Sequence, residues 1–295
     1  MRARQVTTTL LRRIPLPQPD AAGDKNTRGQ VLAIGGSAQV PGAILLAGVA
    51  ALRAGAGKLQ LASCRSVAPA LGVAVPEAMV VALPETRRGQ IAGGRVSRAL
   101  LDMATDADAV LVGPGMAGDR ETTALVKRIV RRLGSDAVLV LDAGAIVALR
   151  HEARPLGKLD GRVVLTPHAG EMAALLDIDK SDVEEHPAEI ARDASDRFGA
   201  VVALKGAESW IAEPRGALYH YAGGNVGLAT SGSGDTLAGI VVGLAARGAT
   251  AVRAAVWGAY LHGAAGRVLA RRVGPIGFLA RELLDEIPPI MRRTR

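Results

Sequence analysis

The chain has 295 residues, of which 49% are hydrophobic and only 2% aromatic, so Val, Leu, Ile and Ala must pack any core. Its net charge of +8 suits anionic ligands, but no basic cluster is interleaved with aromatic residues, which argues against a nucleic-acid binder. The single cysteine, Cys64, excludes an intramolecular disulfide framework or a multi-cysteine metal site, and no apolar run reaches the ~18 residues that a membrane helix needs.

Met1–Arg28 is polar, carries prolines at 15, 17 and 19, and reads as a lead-in arm before a single domain over 29–295. Met1–Gln18 has no apolar centre of the kind a secretory signal carries, so a cytoplasmic protein is expected. Short apolar runs follow at Gln30–Ile34, Lys58–Ala62, Met79–Leu83, Ala109–Val112, Ala137–Leu141, Arg162–Leu165 and Ala200–Leu204. They lack polar alternation, as expected of strands buried on both faces of a parallel sheet. Helical segments lie between them, at Gly42–Ala54, Glu121–Leu133, Gly170–Leu176 and Pro187–Phe198. Strand-then-helix repetition predicts a doubly wound, mostly parallel α/β sheet flanked by helices. Trp210–Ala212 and Ala217–Tyr221 predict an antiparallel hairpin, and later helices are expected at Thr236–Arg247, Ala251–Arg272 and Gly277–Ile287, the last ended by Pro288-Pro289.

Several turns fall at strand ends, where open α/β sheets bind ligands. Gly35-Gly36-Ser37, with Pro41-Gly42-Ala43 opening a helix, serves either a phosphate or the turn itself. Gly113-Pro114-Gly115-Met116 allows close backbone approach but is equally a tight turn. Asp142 closes a strand and is read first as a cap for the next helix, second as a holder of water or metal. Thr166–Glu171 brings His168 to the ligand edge, as a site residue or as a packed one. Lys205-Gly206-Ala207-Glu208-Ser209 suits a nucleotide phosphate or ribose, or is a charged turn. In Ser231-Gly232-Ser233-Gly234-Asp235, a glycine-lined helix start offers amides to an anion. Asp235 stands there either as a base for an alcohol proton or as an N-cap.

Taken in order, Gly29–Ser37, Pro41–Ala43, Ala51–Gly57, Gly113–Met116, Thr166–Glu171, Leu204–Ser209, Gly224–Gly239 and Gly277–Pro288 resemble the ADP-dependent NAD(P)H-hydrate dehydratase family of the ribokinase-like superfamily. The resemblance implies a ribokinase-like fold. It also implies a repair lyase that dehydrates the S epimer of hydrated NADH or NADPH, by phosphorylating the C6 hydroxyl and eliminating phosphate. A vitamin-precursor alcohol kinase of the same superfamily is the alternative. Carried over by motif, Ala43, Gly115, Gly118, His168 and Asp235 would contact the hydrated dinucleotide, with Asp235 the catalytic base. Lys205, Gly206, Ala207, Glu208, Ser209, Asn225, Gly232 and Gly234 would line the ADP or ATP donor. Mg²⁺ is expected on the donor phosphates, with no residue of the chain assigned as a metal ligand. The resemblance further implies a homo-oligomer, a tetramer, served by a separate epimerase that converts the R form. Two positions depart from the family pattern: Gly144 stands where a second aspartate is usual, and Ala117 precedes Gly118 where the turn's last glycine is usual.

Overall fold

The computed structural model describes residues 3–18, 24–25, 27–150 and 156–294. Its elements, in chain order, begin with β1 (Arg4–Gln5), α1 (Thr8–Arg13), β2 (Gln30–Ile34), α2 (Pro41–Arg53), β3 (Lys58–Cys64), α3 (Ala68–Ala74) and β4 (Ala78–Leu83). Next come α4 (Arg98–Asp106), β5 (Ala109–Val112), α5 (Arg120–Val130), β6 (Val138–Leu141), α6 (Gly144–Val147), β7 (Val163–Leu165), α7 (Ala169–Leu176), α8 (Lys180–Glu185) and α9 (Pro187–Phe198). The chain closes with β8 (Val201–Leu204), the hairpin β9 (Ser209–Ala212) and β10 (Leu218–Tyr221), then α10 (Ser233–Ala246), α11 (Ala251–Arg272) and α12 (Ala280–Thr294).

One sheet has the order β1-β10-β9-β8-β7-β6-β5-β2-β3-β4, parallel from β8 to β4 and antiparallel at β9 and its two neighbours. Every residue of β5, β6 and β8 is buried, which is why these segments read as unbroken apolar runs. Successive strand residues face opposite sides. Val31 and Ala33 belong to the core layer that also holds α2, α10 and α11, whereas Leu32 and Ile34 belong to the layer with α4, α5 and α9. The two covered faces make the doubly wound, ribokinase-like architecture that the sequence led us to expect. Among the described residues no helix is long and apolar enough to cross a membrane.

The chain leaves β2 for β3 and β4 on one side, then returns to β5 on the other. This reversal opens a crevice beyond the carboxyl ends of β2 and β5. The turn after β2 meets the turn after β5 there, with the Gly36 amide donating to the Pro114 carbonyl at 2.6 Å. Over the sheet, α10 lies tightly on α2: a β-carbon on Gly239 would fall 2.2 Å from the Ala47 carbonyl oxygen. Small residues at this crossing let the two backbones nearly touch, so the first turn of α10 is held rigidly against the site.

Three expectations need correction. Described residues 3–18 are not a detached arm, because β1 pairs with β10 and Leu11 is fully buried. Few apolar side chains signal this, yet Trp257 also donates its indole N–H to the Ile14 carbonyl at 2.8 Å. Pro288-Pro289 does not end the last helix, which runs on to Thr294. Burial of Ile290, Met291 and Thr294 outweighs the backbone hydrogen bonds that the prolines remove. Finally, α10 begins at Ser233 with Gly232 as its N-cap, placing Asp235 inside the first turn.

Candidate active site

Lys205 follows β8 and reaches across the ends of β7 and β6. Its Nζ lies 2.9 Å from Asp142 Oδ1 and 3.8 Å from Glu171 Oε2. Asp142 follows β6 and also accepts the Thr166 hydroxyl at 2.6 Å. Its side chain is 3% exposed, so this is a buried ion pair. The expected capping role of Asp142 is therefore overturned: α6 has no side-chain cap, and Oδ1 accepts from Thr166 and Lys205 on neighbouring strand ends instead. The next residue, Ala143, has φ +49° and ψ −128°. Such a conformation in a non-glycine residue costs on the order of 1–3 kcal/mol and marks functional edges.

A β-carbon on Gly234 would sit 3.1 Å from Lys205 Nζ, so the ammonium abuts the first turn of α10. That turn carries no capping side chain, and its N-cap Gly232 holds φ +87°. Uncapped amides at a helix start carry partial positive charge, and Lys205 adds a full one. Burial pulls the Lys205 pKa down, but Asp142, Glu171 and Asp235 outweigh it and hold the ammonium above its ordinary value. Lys205 therefore stays protonated at neutral pH.

Asp235 projects from the same turn. Burial, with repulsion from Asp142, pushes its carboxyl up to about 6, although Lys205 pulls the other way and Glu171 adds a smaller rise. A carboxylate of that basicity is ionised at neutral pH and accepts a proton more readily than an exposed one. Ser233, two residues earlier, lies 2.8 Å from His262 Nε2. Burial and the nearby Lys205 push His262 down to about 4, so it stays neutral.

Of these groups Lys205, Ser233, Gly234 and His262 line a cavity of about 680 Å³, together with Gly206, Ala207, Ser209 and Asn225 among others. His168 lines it too. The volume and the mix of apolar wall with a few polar groups suit a nucleotide. Glu208 and Gly232 stand apart from the lining: Glu208 pairs with His220 at 2.6 Å, and Gly232 packs toward Leu46. Asn225 Oδ1 accepts the Gly227 amide at 3.1 Å, while its buried Nδ2 has no partner among the described residues.

His168 is the N-cap of α7. Its Nδ1 accepts the Gly170 and Glu171 amides at 3.0 and 3.2 Å, and Glu171 returns a carboxylate to the His168 amide at 2.9 Å. This capping box commits Nδ1 as an acceptor, and Nε2 lies 3.4 Å from Glu171 Oε1. The ring is 58% exposed at the cavity wall.

Ala43 and Gly115 meet at the crevice between β2 and β5, away from this cavity. A β-carbon on Gly115 would lie 2.9 Å from that of Ala43 and 2.7 Å from the Val40 carbonyl oxygen, and Gly115 has φ +69°. Gly118 is exposed and rests against Val147. At Gly144 a β-carbon would fall 2.4 Å from the Met116 carbonyl oxygen. The loop after β5 thus fills the space that a longer side chain at 144 would occupy.

Sequence reading missed Thr166 and His262 as site groups and gave Glu171 no role. The available signal for His262 was a polar residue in the largely buried helix Ala251–Arg272.

Comparison with known proteins adds to this geometry. Residues 31–289 match the model of a family described as NAD(P)H-hydrate dehydratase. The chain is 53% identical to an ADP-dependent (S)-NAD(P)H-hydrate dehydratase of Xanthomonas campestris pv. campestris, over 99% of this chain and 97% of that protein. It is 42% identical to a bifunctional NAD(P)H-hydrate repair enzyme, Nnr, of Moorella thermoacetica, covering 98% of this chain but 54% of that relative. Its fold superimposes on the ADP/ATP-dependent NAD(P)H-hydrate dehydratase of Bacillus subtilis, co-crystallized with ATP/Mg²⁺, with a TM-score of 0.82, 29% identity and full coverage of both chains.

Proposed function

The chain belongs to the NAD(P)H-hydrate dehydratase family, and from that premise we propose that it is an ADP-dependent lyase. It restores NAD(P)H from the S epimer of its hydrate. The observation that carries the reading is Asp235, raised to about 6, standing in the uncapped first turn of α10 beside Lys205.

Hydroxide is a poor leaving group and phosphate a good one, so the dehydration divides into transfer and elimination. In the first stage Asp235 takes the proton of the C6 hydroxyl as its oxygen attacks the terminal phosphorus of ADP, and AMP leaves. The amides of the α10 turn and the Lys205 ammonium hold the charge that spreads over the phosphoryl oxygens. In the second stage the C6–O bond breaks, phosphate departs and the neighbouring ring carbon loses a proton, which restores the reduced nicotinamide. Lys205, Gly206, Ala207, Ser209, Asn225 and Gly234 would bind the donor, with Glu208 and Gly232 supporting that wall from behind. Ala43, Gly115, Gly118 and His168 would hold the hydrate.

The donor set fits Mg²⁺. Asp142 and Glu171 are already engaged by Lys205, and no group of three acidic or histidine residues among the described ones forms a metal cage. Mg²⁺ binds through one or two carboxylates, its own waters and substrate phosphates. The donor phosphates would carry it, and it would neutralise charge on the transferred group. In this reading 29–295 is one catalytic domain, the enzyme is a cytoplasmic homo-tetramer, and an epimerase supplies the S form.

The test is incubation with the S hydrate of NADH, ADP and Mg²⁺. Return of the reduced-nicotinamide absorbance with one orthophosphate per NADH is expected. A stable phosphorylated alcohol, with the hydrate untouched, would move the assignment to the kinase alternative.

A further inference from the structure

The first turn of α10 carries one polar group besides Asp235 that the mechanism does not yet use. The Ser233 amide donates to the Thr230 carbonyl at 3.2 Å, and the Thr236 amide to the Gly232 carbonyl at 3.0 Å. Between them, the Gly234 and Asp235 amides make no hydrogen bond among the described residues. The Ser233 side chain belongs to this same turn, is buried, and lines the cavity. Its Oγ lies 2.8 Å from Nε2 of His262, which lines the cavity from α11.

Packing fixes where that ring stands. A β-carbon on Gly258 would fall 2.6 Å from Val241 Cγ2, and one on Gly263 would fall 2.4 Å from Tyr221 Cε1. These glycines let α11 lie close over α10 and β10, so His262 is held against Ser233. Burial first, and then Lys205, keep the ring uncharged, while the Ser233 backbone pulls the other way. A neutral imidazole has one N–H, so Nε2 either accepts the Ser233 hydroxyl proton or donates to its oxygen. The two arrangements turn opposite poles of the hydroxyl outward. In the first, Oγ presents lone pairs, which repel an anion. In the second, Oγ is satisfied as an acceptor and its own O–H is left to donate. An anion seated against Lys205 and the two open amides selects the second.

Resting on the functional reading above, we propose that His262 is a positioning residue for phosphoryl transfer. By donating Nε2–H to Ser233 Oγ, it turns the Ser233 hydroxyl into a further donor to the phosphoryl oxygens, beside the Gly234 and Asp235 amides. That hydrogen bond strengthens as charge builds on those oxygens, so it acts on turnover more than on binding of the donor.

The test measures kcat, KM for ADP and melting temperature with the S hydrate of NADH. The variants are Ser233→Ala, His262→Leu, His262→Gln and the double variant Ser233→Ala/His262→Leu. A glutamine side-chain amide can still donate to Oγ, so His262→Gln keeps the donor without the imidazole. Ser233→Ala should lower kcat by about 10² and His262→Leu by about tenfold, with KM for ADP changed by less than about threefold. His262→Gln should recover most of the parental kcat, and the double variant should be no slower than Ser233→Ala alone. Losses that multiply in the double variant, or a His262→Gln no faster than His262→Leu, would overturn the proposal and leave His262 as a packing residue. Should His262→Leu fail to fold, Ser233→Ala decides, because it removes only a hydroxyl: a parental kcat there overturns the proposal. A parent enzyme that turns over no hydrate would instead sink the functional reading, and this inference with it.

Discussion

Replacing Asp235 by Asn separates chemistry from structure, because an N-cap would be kept by Asn with little change in stability, whereas removal of a buried, destabilised charge should raise it. In the folded chain the carboxyl pKa is raised from 3.8 to about 6. The charged form is therefore less stable in the folded protein than in the unfolded one. That penalty is absent below the unfolded pKa, grows as pH rises from 3.8, and is complete above about 6. Some two pKa units at 1.36 kcal/mol each set an upper limit of about 3 kcal/mol. Asn carries no charge and breaks no cap, since α10 has no side-chain cap. The variant should melt several degrees higher at pH 7.5, taking roughly 2–4 °C per kcal/mol, and the gain should vanish near pH 4. Turnover of the hydrate should fall by about 10²–10⁴, seen in kcat, because Asn cannot accept the hydroxyl proton. Calorimetry at the two pH values with steady-state kinetics would check both arms. Near-parental kcat would refute the base assignment, and a lowered melting temperature at pH 7.5 would refute the electrostatic account.

Three further outcomes follow from the same geometry. The pH profile of kcat should show an acid limb near pH 6, activity rising as Asp235 loses its proton; a flat profile down to pH 5 would exclude it as the titrating base. Lys205→Met leaves Asp142 buried without its partner, so denaturant melts should show a loss of about 3–5 kcal/mol, partly recovered by adding Asp142→Asn. Because Lys205 lowers the Asp235 pKa, any residual activity of that single variant should have its acid limb moved to higher pH. His168→Asn keeps a capping side chain and should hold the melting temperature while raising KM for the hydrate, whereas His168→Ala should also lose about 1 kcal/mol of helix cap; equal effects of both variants on stability would show that the capping box contributes nothing.

Much of the fold was legible because its signals are local. Buried parallel strands appear as apolar runs such as Ala109–Val112, and the hairpin of β9 and β10 is written around Pro214 and Gly216. What escaped was decided by packing at a distance. Val6, Leu11 and Leu16 are too few and too scattered to look like core, yet strand pairing with β10 and the hollow beside α11 bury them. Pro288-Pro289 carries the local signature of a stop, and the buried residues after it override that signature.

The active-site groups split the same way. The glycine turn before Asp235 and the lysine after β8 were visible, since each is a motif of adjacent residues. Asp142 was not, because an aspartate between a strand and a helix looks like a cap, and its actual partner lies 63 residues onward. Only the order β6-β7-β8 makes Asp142, Thr166 and Lys205 neighbours. That placement accounts for the chemistry as well as the structure. An exposed aspartate at 3.8 would be a feeble base at neutral pH, and one buried without a cation would stay protonated. Burial and repulsion by Asp142 raise Asp235, while Lys205, itself held charged by Asp142 and Glu171, stops the rise at about 6. In the proposed mechanism the same lysine that limits the pKa of Asp235 would hold the transferred phosphoryl group. Asp142 would then act on both halves of that reaction without touching either substrate, since its charge raises Asp235 by repulsion and holds Lys205 protonated.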